Sequence, residues 1–227
     1  MPFRLFPRAP ENGSHESTLP AAALVVISFG LYWILPSHFK PVPAFVMVVL
    51  VILLVALLVV LVPHRHAEVE RWQRVLVMLV IAAITVANAY DLARLLEALL
   101  SKDQLMTGRE LILSAGVIWL TNVIVFGLWY WELDRGGPSR RAAGRDDSTL
   151  VRFPDFQFPQ MENPQLAPPH WHPRLLDYIY FSFSNGTAFS ATDVMPLSQW
   201  AKSLMMVQAG SSLLLIVLVT ARAVNVL

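Results

Sequence analysis

Long apolar runs alternate with short polar breaks along this chain, and the run lengths set the first expectation. Leu19 to Leu35 gives 17 residues without a charge, and Ala44 to Val62 gives 19 that are almost all Val, Leu and Ile. Val75 to Tyr90 is apolar and continues as an amphipathic stretch through Asp91, Arg94 and Glu97. Leu111 to Trp131 gives 21 residues and ends in Trp129, Tyr130 and Trp131, the composition of an interfacial aromatic belt. Ser203 to Ala221 gives a further 19 residues without a charge. A bilayer core of about 30 Å takes about 20 apolar residues as a helix. Lipid offers the backbone no other hydrogen-bond partners, so five spanning helices are expected.

The region between the last two runs breaks this pattern. Glu132 to Pro173 holds seven prolines, the arginines Arg135, Arg140, Arg141 and Arg145, and three phenylalanines, Phe153, Phe156 and Phe158. Prolines at this density exclude a long helix, so an extended, partly ordered surface loop is expected. Arg174 to Ser184 then reads as a helix of 11 residues, rich in Leu, Ile, Tyr and Phe and too short to span. A short apolar helix followed by small polar residues fits a re-entrant segment, and an interfacial helix equally.

Composition agrees with lipid as the solvent. Hydrophobic residues make up 56% of the 227-residue chain and charged residues only 15%, well under the roughly 25% of soluble domains. A formal net charge of +1 gives no reason to expect a nucleic-acid partner. The chain has no cysteine, so neither disulfides nor thiolate chemistry are available. Met1 to Pro20 does not read as a secretory signal, because its apolar run starts late and follows Glu11 and Glu16.

From Tyr180 onward the residues run Tyr-Phe-Ser-Phe-Ser-Asn-Gly-Thr-Ala-Phe-Ser-Ala-Thr-Asp-Val-Met-Pro-Leu-Ser, ending at Ser198. This segment resembles the pore module of bacterial potassium channels, whose pattern runs YFSF, three residues, TTVGYGD, two residues, PLS. The two align without a gap. Phe181, Ser182 and Phe183 fall on the end of the pore helix, and Asp193, Pro196, Leu197 and Ser198 on the acid and PLS after the filter. Ala201, Lys202, Ser203 and Leu204 continue the likeness, as do Ala221 and Arg222. Together with the run lengths, the resemblance, which covers about Leu111 to Leu227, gives the expectation of an all-α integral membrane protein of about five transmembrane helices plus a re-entrant pore-type helix and loop. It divides the chain into an N-terminal region of three helices, 1–109, and a pore module, 110–227. That module would comprise an outer helix 110–132, a surface loop 133–173, a re-entrant helix 174–184, a filter-like loop 185–193 and an inner helix 198–224. One chain would supply a quarter of a pore, so the resemblance implies a homotetramer in the cell membrane.

The ion-selecting loop itself departs from the family. TTVGYGD is replaced by Thr187, Ala188, Phe189, Ser190, Ala191, Thr192 and Asp193. In the family, successive backbone carbonyls of this loop replace the ion's water shell, and glycines supply the left-handed positions that aim them. Ser190 and Thr192 stand on both glycines, and left-handed geometry costs a non-glycine residue roughly 1–2 kcal/mol. A potassium filter of the usual shape is therefore not expected, and Phe189 adds bulk near the axis. Asp193 is expected either to ring a pore mouth or to cap the turn before Pro196. On the inner helix, Gly210, Ser211 and Ser212 form a small-residue patch suited to a bend or to close packing. Gln208 falls where the family often carries a glutamate, which removes a charge.

The remaining candidates carry less. Asp91 is expected to pair with Arg94 at i+3 near a helix end. His170 and His172, like His64 and His66, lack further ligands at metal-binding spacing, so no metal or cofactor is expected. No phosphate loop, nucleophile elbow or carboxylate pair is present, so no enzyme is expected. Charge placement conflicts with the pore topology. A loop dipping in from outside puts Arg4, Arg8, Arg65, Arg71, Arg135, Arg140, Arg141 and Arg145 outside, against the positive-inside tendency. Weak obedience of a long loop to that tendency, a miscounted or atypical first span, or a pore entering from the cytoplasmic side would each reconcile the two, and the second is the preferred expectation. Two functions follow: an ion-channel-like protein passing monovalent cations with altered or low potassium selectivity, or a non-conducting structural or regulatory descendant of the same fold.

Overall fold

The computed structural model describes residues 19–36, 67–100, 107–141, 153–169, 171–187 and 193–226. Its long elements are the helices α1 (Leu19–Ile34), α2 (Ala67–Leu100) and α3 (Gly108–Leu133). The polar loop region follows, with strand β1 (Phe156–Gln157) and the single-turn helix α4 (Pro159–Glu162). Helix α5 (Leu175–Thr187), strand β2 (Met195–Pro196) and helix α6 (Gln199–Val226) complete the order. The described chain is mostly helical. Three stretches, Arg74–Leu100, Gly108–Gly136 and Gln199–Ala221, are long and apolar enough to cross a membrane. The apolar part of α1, Pro20–Ile34, is shorter, and the Ala44–Val62 run lies outside the described residues.

Helix α3 is the central element, contacting α1, α2, α5 and α6. Its start is fixed by a capping box. Thr107 Oγ1 accepts from the Glu110 backbone N–H at 3.3 Å, and the Glu110 carboxylate accepts from the Thr107 N–H at 2.9 Å. Its end is fixed by a left-handed run, Arg135, Gly136 and Gly137, with φ of 52°, 84° and 98°. A Cβ on Gly137 would lie 3.0 Å from the Glu132 carbonyl oxygen, so position and conformation both call for glycine.

Helices α1 and α2 run parallel to each other and antiparallel to α3. Near one end Ala21 and Val25 of α1, Val80 and Ile81 of α2 and Ile124 to Trp131 of α3 share one apolar cluster. Near the other, Tyr32 and Leu35, Leu95 and Leu99, and Leu111 and Ala115 share a second. Arg74 Nε pins the first end by donating to Glu132 Oε1 at 3.1 Å, and Trp129 Nε1 donates to Thr85 Oγ1 at 2.9 Å.

The proline-rich stretch is more than a surface loop. Phe156 is completely buried and Phe158 nearly so, while Phe153 is exposed. Phe156 stacks edge-on against Tyr130 and Phe181, both at 5.1 Å between ring centroids, and against Trp200 at 5.7 Å. Phe158 packs on Tyr178 and Trp171. Phe156 thus packs among side chains of α3, α5 and α6, and prolines leave extended backbone free to insert it. That backbone pairs as β1 with β2, antiparallel, Phe156 opposite Pro196 and Gln157 opposite Met195. The expected loop 133–173 therefore contributes core at its middle.

Helix boundaries shift modestly from expectation. The short helix runs Leu175–Thr187 rather than 174–184, so residues 185–187 of the expected filter-like loop are helical. The outer helix extends slightly past 110–132, to Gly108–Leu133, and the inner helix runs Gln199–Val226 rather than 198–224.

Candidate functional site

Helix α5 has 13 residues and is therefore about 20 Å long. Its two ends meet different levels of its neighbours. At its start, the buried Tyr178 hydroxyl donates to Asp134 at the C-terminal end of α3. Asp134 Oδ1 accepts the Asp155 N–H at 2.9 Å, and Asp155 in turn accepts from Trp200 Nε1 near the start of α6 at 2.8 Å. The Arg141 guanidinium donates to the carbonyls of Trp131 and Asp134 and lies over the Tyr178 ring at 5.3 Å. At its finish, the Gly186 carbonyl accepts from Trp119 Nε1 in the middle of α3 at 3.2 Å. A Cβ on Gly186 would lie 3.4 Å from Ser212 Oγ in the middle of α6. The helix thus starts level with the ends of its neighbours and stops halfway along them. After the residues that follow it, β2 is back beside β1, where the Leu197 N–H donates to the Asp155 carbonyl at 2.8 Å.

Close approach makes this possible. A Cβ on Gly127 of α3 would collide with Ile179 Cδ1 and lie 3.2 Å from Ile179 Cα. The missing side chain lets the two helices touch backbone to side chain over their middle turns.

A chain of polar side chains then fixes the depth of α5. Gln208 of α6, fully buried, is its centre. Its Oε1 accepts from the Tyr130 hydroxyl at 2.7 Å and from Asn185 Nδ2 at 2.8 Å. Its Nε2 donates to the Ser182 carbonyl at 2.9 Å and to Ser182 Oγ at 2.7 Å. Ser182 Oγ donates to the Val123 carbonyl at 2.7 Å, and Asn185 Nδ2 also reaches the Met205 carbonyl at 3.2 Å. One turn further along α6, Ser211 Oγ accepts from Asn122 Nδ2 at 2.8 Å. Every bond crosses between α3, α5 and α6, so a slip of one helix by one turn would break several together.

The expected site residues divide accordingly. Thr187 ends α5 and turns its hydroxyl back to the Phe183 carbonyl at 2.9 Å. Asp193 is exposed, two residues before β2. Ala188, Phe189, Ser190, Ala191 and Thr192 lie outside the described residues. The small-residue patch splits: Gly210 faces outward with open space around it, whereas Ser211 and Ser212 face α3 and α5. Asp91 does not pair with Arg94. Arg94 reaches Glu97 instead at 2.6 Å on the exposed face of α2, and Asp91 turns inward.

Tyr130 and Ser182, named from sequence only for the aromatic belt and the pore-helix likeness, carry the network together with Asn185. Their signal was a polar residue at helical spacing inside apolar runs, with Ser182 and Asn185 one turn apart facing Gln208. Among the described residues no group of three or more His, Cys, Asp or Glu side chains comes together. The arrangement offers hydrogen bonding and a helix dipole, whose negative end at Gly186 and Thr187 favours a cation. No protein-family model, curated protein or solved structure matches the chain.

Proposed function

We propose that this is a multi-pass membrane protein whose 110–227 half forms a quarter of a potassium-channel-like cation pathway with altered or low potassium selectivity. The observation that carries the reading is the half-depth placement of α5. A helix that enters beside the ends of two long apolar helices, stops midway and is followed by a return to its starting level has the geometry of a re-entrant pore helix. Its negative end faces the middle of the apolar layer, where a partly dehydrated cation most needs stabilisation. The Gln208 network supports the reading by holding that end at a fixed depth.

Assembly follows from what one chain leaves open. Leu176, Tyr180 and Phe183 form an exposed stripe at i, i+4 and i+7 along α5, and Met206, Val207, Leu213, Leu214 and Val217 are exposed on α6. Three further copies packed through this face would complete a pore of four chains.

A non-conducting structural or regulatory protein of the same fold is the second reading. It is favoured by Thr187, whose hydroxyl bonds its own helix, and by Ser190 and Thr192 in place of the filter glycines. Potassium and sodium flux into liposomes separates the two. Purified wild type, a Phe189→Ala variant and empty liposomes are compared, with the oligomeric state measured on the same samples. Flux above empty liposomes that changes in Phe189→Ala supports the pathway. No flux from a correctly inserted tetramer, or a protein that is only monomeric, overturns it in favour of the second reading.

A further inference from the structure

The opposite flank of α3 holds a feature that a pore does not use. A cavity of about 230 Å³ lies between α1, α2 and α3. Its walls are mostly apolar, including Phe29, Tyr32, Val80 and Ile84, and one acidic side chain, Asp91, lines it. Asp91 is only 4% exposed, and its Oδ1 has no hydrogen-bond partner among the described residues. Arg94, the nearest cation along its helix, is committed to Glu97 on the outer face. A buried carboxylate oxygen without a partner is costly, and a structure retains one where something else supplies the partner. The cavity is too apolar for a hydrated metal ion, and a neutral hydrocarbon would leave the carboxylate unsatisfied.

We propose that this cavity binds a small lipophilic amine, its apolar body among the α1, α2 and α3 side chains and its protonated nitrogen donating to Asp91. The amine reaches the site through the apolar layer, and its charge is met by the one acid there. Asn88, one turn before Asp91 and also lining the cavity, offers a second polar contact to the ammonium. The site lies away from the α5 and α6 network, so it stands whether or not the chain conducts.

The test is equilibrium binding of 1-aminoadamantane, a compact cage amine, to the purified full chain in detergent, with empty micelles subtracted. 1-Adamantanol serves as the neutral probe of the same shape. Asp91→Asn keeps the side-chain volume and removes the charge, and Ala87→Phe fills the cavity. Melting temperature and helical circular dichroism confirm that each variant is folded. The expected result is saturable amine binding that weakens about tenfold or more in Asp91→Asn, with the alcohol weaker than the amine in wild type only. Ala87→Phe abolishes binding of both. The proposal is overturned if the amine does not saturate above empty micelles, if Asp91→Asn binds it as tightly as wild type, or if the alcohol matches the amine.

Discussion

On one flank of α3 the buried amide of Gln208 has every hydrogen-bonding atom engaged, while on the other a carboxylate oxygen of Asp91 has no partner among the described residues. Both side chains sit inside apolar helix bundles of similar composition. The difference lies in what faces them. Gln208 meets Tyr130, Ser182 and Asn185 from two other helices, whereas Asp91 meets a mostly apolar cavity in which Ser28, Tyr32, Asn88 and Thr121 are the other polar side chains. Satisfied polar groups at a helix contact specify register, because any other register strands several of them. Burial tells the same story at larger scale. In the most apolar stretch of α3, 72% of residues are buried, against 17% in α6 and 28% in α2. Among the described residues α3 is the most enclosed of the three, and much of α2 and α6 stays exposed.

The sharpest way to break this comparison is to remove the network centre. Gln208→Ala leaves the buried Tyr130 hydroxyl without its acceptor and takes one bond from Asn185 Nδ2 and one from Ser182 Oγ, which keep the Met205 and Val123 carbonyls. At roughly 1–3 kcal/mol for the stranded hydroxyl and about 1 kcal/mol for each further bond lost, a loss of about 4 kcal/mol is expected. Chemical unfolding in detergent, followed by tryptophan fluorescence, measures it. Gln208→Glu keeps the shape but aims an acceptor at the Ser182 carbonyl, so about 2 kcal/mol should be lost as well. A Gln208→Ala protein as stable as wild type would mean that α5 is held by apolar packing alone.

The network also shows what the sequence could and could not convey. Run lengths located α3 and α6 to within a few residues, since about 20 apolar residues in a row have few other uses. The short helix was legible as well, though its end was placed three residues early. Asn185 and Gly186 read as loop formers by local preference, but Asn185 bonds Gln208 and Gly186 fits beneath Ser212, so tertiary contacts extend the helix. The same limit applies to Phe156 and Phe158. Nothing local distinguishes them from the exposed Phe153; only the β1–β2 pairing, 40 residues apart in sequence, turns them inward. The expected Asp91–Arg94 pair failed for a related reason. Spacing of i+3 permits contact, but Glu97 offered Arg94 an equivalent partner on the exposed side. The arginine count near the loop reads differently too, since Arg135 contacts Asp134, and Arg141 is bound to backbone carbonyls and aromatic rings.

At the rim of the module the comparison is sharpened by Asp134. It is fully buried and holds Tyr178, Asp155 and Arg135 together. Asp134→Ala should cost about 3 kcal/mol by leaving those donors without an acceptor. Limited proteolysis around Phe156 and Phe158, with the unfolding midpoint alongside, checks it. Unchanged cleavage and an unchanged midpoint would show that Phe156 and Phe158 anchor the segment unaided. A smaller effect is expected at Gly127→Ala. The added methyl meets Ile179, which has to move, and overpacking of this kind costs about 2 kcal/mol. Combining it with Ile179→Val should recover part of the loss, because the colliding Cδ1 is removed.

Gly210 gives the smallest effect and separates packing from motion. Ser211 and Ser212 beside it are engaged with α3 and α5, but a Cβ on Gly210 meets nothing within 4 Å. Gly210→Ala therefore has no steric cost in one chain and should stabilise α6 by up to about 1 kcal/mol, the helix preference of alanine over glycine. A stabilised protein with unchanged liposome flux and oligomeric state would make Gly210 a bystander on the outer face. Loss of tetramer would place a second copy against it, closer than a methyl group allows. Altered flux with the tetramer intact would instead assign the glycine to bending of α6, since the substitution changes backbone freedom and no contact within the chain.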